Sequence, residues 1–188
     1  MRLLRRSHLV LAATAAAATV AAVVVGGVPS ASAATAYSVT YAGTDAHTLD
    51  PNMQPKYTGG GGVGAVVTSS GPALIHAVEF SVNLPVGARV TSVAVSYSTC
   101  NTTSQPVISF GVDTPASASS AQIAAISAGT HCGVTTVSKA GSPLTTVLTG
   151  RRYVVDFTFT DEAGYSGPFN QVLYGTTVKY TCDAPCVA

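Results

Sequence analysis

The sequence predicts an all-β chain, an antiparallel sandwich or barrel of about nine strands, and three observations carry that expectation. Apolar and polar residues alternate with period two in several segments, best between Arg152 and Thr160. Clusters of Gly, Pro, Ser and Asp interrupt those segments about every ten to fifteen residues. The one run with helix-favouring alanines, Ala118 to Ala128, carries β-branched Ile123 and Ile126 and little capping chemistry, so it reads as an edge strand.

The first 33 residues stand apart. Arg2, Arg5 and Arg6 precede an apolar run from Leu9 to Val28, and Ala31-Ser32-Ala33 closes it, which is the layout of a secretory signal peptide cut after Ala33. An uncleaved anchor is the competing reading, since about twenty apolar residues at ~1.5 Å rise span a ~30 Å hydrocarbon layer. Pro29 and the small-residue triplet favour cleavage, and the mature chain is then expected outside the cell with no membrane attachment. Of 188 residues 47% are hydrophobic and 9% charged, and from Ala34 onward six Lys/Arg face eight Asp/Glu, a net charge of −2. That balance leaves no basic footprint for nucleic acid.

Residues 34–64 are expected to form an N-terminal strand, Tyr37 to Tyr41, and a mobile loop. Pro51, Pro55 and the four glycines Gly59 to Gly62 supply no side-chain core there. The domain proper is 65–188. Its strands are expected at Val63 to Thr68, Leu74 to Val82, Ser92 to Ser98 and Val107 to Val112. Further strands are expected at Gly133 to Ser138, Leu144 to Leu148, Arg152 to Thr160 and Val172 to Thr181. In the last of these strands Val172, Tyr174, Thr176, Val178 and Tyr180 face one way and Leu173, Gly175, Thr177, Lys179 and Thr181 the other. Val93, Val95 and Tyr97 fall on one side of their strand, as do Ile108, Phe110 and Val112, and as do Tyr153, Val155, Phe157 and Phe159. Each set predicts a face on a core, with Ser, Thr and Asp on the wet side. Ala140-Gly141-Ser142-Pro143 reads as a turn.

Four cysteines in an exported chain predict disulfides. Three pairings exist on paper. The short Asp-Ala-Pro spacer favours Cys182 with Cys186, which leaves Cys100 with Cys132. On the loop-entropy model the larger ring is worth roughly 3.7 kcal/mol and the small one about 2 kcal/mol. Zinc would need two close Cys pairs, and Cys100 and Cys132 have no near Cys neighbour.

Three segments, Leu84-Pro85-Val86-Gly87-Ala88-Arg89-Val90-Thr91-Ser92, Arg152-Tyr153-Val154-Val155 and Leu173-Tyr174-Gly175-Thr176-Thr177-Val178-Lys179-Tyr180, resemble a broad set of exported bacterial proteins of unassigned function. The resemblance spans roughly Tyr57 to Thr181 and implies a jelly-roll-like β-sandwich. It brings no catalytic residues. Thr176 stands where the resembling proteins carry an apolar residue, which points that position toward water. In the first segment Pro85 and Gly87 suit a tight turn, with Leu84 at the rim of the sandwich.

Candidate chemistry is sparse. Asp45, His47 and Asp50 carry metal-ligand atoms, yet they read as a solvated loop, and no metal or cofactor is expected. His76 lies in an apolar run and reads as a partly buried strand residue. His131 adjoins Cys132, but a disulfide removes the thiolate that a Cys-His pair needs. Gly164-Tyr165-Ser166-Gly167 falls one residue short of a nucleophile elbow. Asp161-Glu162 are sequential loop carboxylates with no shown cleft. The expectation is therefore a secreted, non-enzymatic structural or interaction module, with a homo-oligomer or a cell-surface protein as its candidate partner. The alternative is a carbohydrate- or small-ligand-binding module using the aromatic residues Tyr165, Phe169 and Tyr57.

Overall fold

The computed structural model describes residues 34–49, 53–57, 63–67, 75–100, 105–160 and 171–183. Among these residues there are eleven strands: β1 Thr35–Ala42, β2 His47–Thr48, β3 Met53–Tyr57, β4 Val63–Val67, β5 Ile75–Val82, β6 Arg89–Thr99, β7 Val107–Thr114, β8 Ser119–Ile126, β9 His131–Thr146, β10 Arg152–Thr160 and β11 Gln171–Cys182. One sheet runs β3-β4-β11-β6-β9, with β1 also paired to β11, and the other runs β2-β5-β10-β7-β8. Every pairing is antiparallel. The two sheets face each other across one hydrophobic core, so the expected disulfide-stapled β-sandwich is present.

The alternation read from the sequence builds that core. Val93, Val95 and Tyr97 of β6 are fully buried against Ile108 and Phe110 of β7, Phe80 of β5 and Val155 and Phe157 of β10. Tyr97 and Phe157 rings meet at 5.8 Å between centroids. Burying one such side chain is worth about 1.5–3 kcal/mol. The Tyr97 hydroxyl is satisfied at the same time, donating to the Gly129 carbonyl (2.8 Å) and accepting from the Gly129 N–H (2.9 Å). It thereby pins the β8–β9 connection to the core.

Four expectations change. Strands β2 and β3 occupy a stretch read as a loop: backbone pairing needs no apolar side chains, and β3 pairs with β4 from Met53↔Val67 to Tyr57↔Val63. Residues 58–62 lie outside the described residues. The turn expected at Ala140 to Pro143 is instead the interior of the sixteen-residue β9. There the register with β6 shifts between Val90 and Ser92, and the added residues bulge out of an edge strand, where Pro143 has no ladder bond to donate. A Cβ on Gly141 would meet Leu144 Cδ2 at 2.7 Å, so a larger residue in that bulge would make the leucine side chain move aside. Thr176 does not face water. It is 2% exposed, and its hydroxyl donates to the Ala94 carbonyl at 3.0 Å. Finally, the alternation along β11 switches phase at a bulge between Leu173 and Gly175, so that Leu173 before it and Val178 after it both join the core.

The Leu84-to-Ser92 segment behaves as its residues dictate. Ala88 N–H donates to the Pro85 carbonyl (3.1 Å) across a tight turn whose third residue, Gly87, has φ +86°. Cys100 and Cys132 are bridged, tying the end of β6 to the start of β9. Cys182 is oxidised as well. Cys186, the partner expected for it, lies outside the described residues, as does the leader.

Candidate functional site

The residues singled out from the sequence do not assemble into a described site. Tyr165 and Phe169 lie outside the described residues, with Asp50, Asp161 and Glu162. Tyr57 ends β3 opposite Val63, and its side chain lies outside the described atoms. His47 is exposed on β2, and His131 is exposed at the start of β9 beside the bridged Cys132. His76 is on β5, its side chain likewise outside the description. Among the described residues no three His, Cys, Asp or Glu side chains come together as metal ligands.

A polar array appears elsewhere, on the outer face of the five-stranded sheet. In β10 the core takes Tyr153, Val155, Phe157 and Phe159, which turns Arg152, Val154, Asp156 and Thr158 outward. Register then places neighbours beside them. Asp156 stands between Glu79 of β5 and Ser109 of β7, Val154 between Ser81 and Gly111, and Arg152 beside Asp113. His47 extends the first row past Glu79. Beyond β7, a register shift in β8 sets Gln122 opposite Gly111. Three of the eight carboxylates of the chain therefore share one face with one arginine.

Arg152 organises the array. Its Nη2 is ion-paired with Glu79 Oε1, its Nη1 lies 3.4 Å from Asp113 Oδ2, and its guanidinium donates to Ser81 Oγ at 3.3 and 3.4 Å. The Glu79 side chain is 7% exposed and that of Arg152 45%. Glu79 is thus a buried carboxylate paired with a half-exposed guanidinium. Asp156 has a weaker set of partners. Ser109 Oγ donates to its Oδ2 at 3.3 Å. Burial pushes the Asp156 carboxyl above its ordinary range; the Ser109 hydrogen bond opposes this, the charge of Asp113 adds to it, and Arg152 opposes it. A carboxylate has about four acceptor directions, so capacity on Asp156 is left for a ligand.

Gly111 shapes the space beside that carboxylate. A Cβ there would lie 3.3 Å from the Ala121 carbonyl oxygen, 3.5 Å from Val154 Cγ2 and 4.0 Å from Asp156 Oδ2. Gly111 is itself buried and Val154 is 3% exposed, so the glycine lets β7, β8 and β10 pack closely beneath this face. Gln122 is exposed, and Asp113, Ser109 and Asp156 are half-buried around it. These groups offer fixed donors and acceptors. Ser109 donates to the Asp156 carboxyl, which fixes the two side chains relative to each other. Sequence reasoning placed Asp156 and Ser109 on wet faces but had no means of seeing them as neighbours. The signal available was the presence of charges on β5, β7 and β10 in a chain where charge is scarce.

Comparison with known proteins finds no matching family model and no matching curated sequence. Among solved structures, the chain is similar to the CBM22-1–GH10 modules of Clostridium thermocellum xylanase 10B complexed with xylohexaose. The identity is 11% and the TM-score 0.48, over 78% of this chain and 28% of that one. It is similar to the Podospora anserina GH26-CBM35 β-(1,4)-mannanase at 14% identity and TM-score 0.43, over 79% of this chain and 28% of that one. A family 29 carbohydrate binding module matches at 10% identity and TM-score 0.40, over 78% of this chain and 89% of the module. The chain spans less than a third of the length of the xylanase and mannanase chains that it matches.

Proposed function

We propose that the protein is an exported, non-catalytic binding module whose ligand is a carbohydrate, taken on the outer face of the five-stranded sheet. The observation that carries this reading is the array of Asp156, Asp113, Arg152 and Gln122 on adjacent strands around Gly111, with Asp156 and Asp113 half-buried and Arg152 and Gln122 exposed. A sugar hydroxyl both donates and accepts, so it is recognised by interleaved carboxylates, amides and guanidinium groups held at fixed spacing. Ladder hydrogen bonds hold these positions more rigidly than a loop would. Location outside the cell is supported by the oxidised Cys100–Cys132 pair and by the signal-like leader. Among the described residues no helix is long and apolar enough to cross a membrane.

Affinity electrophoresis against soluble xylan, mannan, β-glucan and galactan tests the reading. Retardation of the wild type by one of these, lost in Asp156→Ala and in Gly111→Val, is the expected result. Tyr165→Ala in the same gels tests the loop aromatics as a second contact. A wild type that no polysaccharide retards, or one retarded equally with Asp156→Ala, returns the protein to the structural-module reading.

A further inference from the structure

A second concavity opens at the end of the sandwich, between the β5–β6 connection and the β9–β10 connection, with a volume of about 280 Å³. Its walls are built before any ligand arrives. Gly87 N–H donates to the Val147 carbonyl and Val147 N–H to the Ala88 carbonyl, both at 2.8 Å, zipping the two connections together. The buried Tyr153 hydroxyl donates to the Thr146 carbonyl (3.1 Å) and accepts from the Leu148 N–H (3.0 Å). Gly87 and Gly150, at φ +86° and +70°, hold backbone conformations that other residues rarely adopt.

The chemistry of the lining is two-sided. Val86 and Leu148, 63% and 55% exposed, are two of the five large apolar side chains exposed among the described residues, and both line this one cleft. Exposed apolar surface concentrated at a preformed concavity marks a binding site better than scattered residues do. Two arginines, Arg151 and Arg152, also line it. Arg152 is already neutralised by Glu79 and Asp113, but Arg151 has no ion-pair partner among the described residues. An unneutralised guanidinium beside an apolar wall complements an anion that carries its own apolar body.

We propose that this cleft binds a small amphiphilic carboxylate, with the carboxylate on Arg151 and a short alkyl chain against Val86 and Leu148. The volume lies at the lower edge of small-molecule pockets, which limits the occupant to a short chain. The cleft borders the polar face around Asp156 and shares Arg152 with it, but the contacts assigned to the ligand, Arg151, Val86 and Leu148, are its own.

Sodium decanoate, decylamine, decanol and glucuronate, each titrated into the isotopically labelled exported chain and followed by amide resonances, provide the test. Decanoate is expected to move the resonances of Gly87, Leu148 and Gly150. Arg151→Gln is expected to weaken it about tenfold, the loss of one charge-assisted contact. Leu148→Ser should weaken decanoate also, while leaving intact the backbone N–H that Tyr153 uses. Asp156→Asn should leave decanoate binding unchanged, so this proposal and the carbohydrate reading fail independently. Decylamine binding as well as decanoate, an undiminished affinity in Arg151→Gln, glucuronate binding without decanoate, or no movement of cleft resonances would each overturn the assignment.

Discussion

At the scale of single residues, the energetics of the polar face centre on two carboxyls in opposite circumstances. Glu79 is buried and depends on Arg152 for its charge to be tolerable. Arg152→Met should destabilise the fold by about 2–3 kcal/mol, below the usual cost of breaking a buried pair because the guanidinium is half-exposed. Adding Glu79→Gln should recover most of that loss, since the uncompensated charge is then gone. Chemical denaturation of the single and double variants reads both values. Asp156 titrates above the unfolded-chain range because burial disfavours its charged form. The folded chain therefore holds this proton more tightly than the unfolded one, and the stability that the protonated form contributes is lost as pH rises through the raised pKa. Asp156→Asn, which mimics the protonated form, should raise the melting temperature at neutral pH. The gain should vanish below the ordinary carboxylate range, and a gain independent of pH would contradict the assignment.

At the scale of elements, β1 illustrates how a single missing side chain sets a pairing. It lies along the β11 edge from Thr35↔Cys182 to Ala42↔Gly175, while β4 takes Val172 and Leu173 further along the same edge. A Cβ on Gly175 would meet the Tyr41 carbonyl oxygen at 2.5 Å, a backbone atom that cannot rotate away. Gly175→Ala should push the end of β1 off the sheet at a cost of about 1–3 kcal/mol, as for other overpacked sites. Faster limited proteolysis within residues 40–46 would report it. The strands themselves were legible beforehand wherever one face is buried. The edge run at Ser119 to Ile126 was readable too, because β-branched residues outweighed its alanines. The continuity of β9 was not, since Gly-Ser-Pro looks the same in a turn and in an edge bulge, and only pairing with β6 tells them apart.

At the scale of the whole molecule, the neighbouring strands β6 and β9 of one sheet are tied at their ends by the Cys100–Cys132 bridge, 32 residues apart in sequence, and the loop it closes carries β7 and β8 of the facing sheet. Closing a loop of that length restricts the unfolded chain far more than the folded one. Replacing both cysteines by serine should cost roughly 3.7 kcal/mol while the all-β circular dichroism spectrum is kept. A double variant as stable as the wild type would show that the reduced chain is already constrained there.

The sequence alone determined most of the strand segments, the core-facing sides of β6, β7 and β10 and the oxidised state of Cys100 and Cys132, because alternation and cysteine usage are properties of short stretches. It did not show that Glu79, Asp113, Arg152 and Asp156 share a surface, or that Arg151 borders an apolar cleft. Those facts depend on register, bulges and strand order, which long-range pairing fixes and no local pattern encodes.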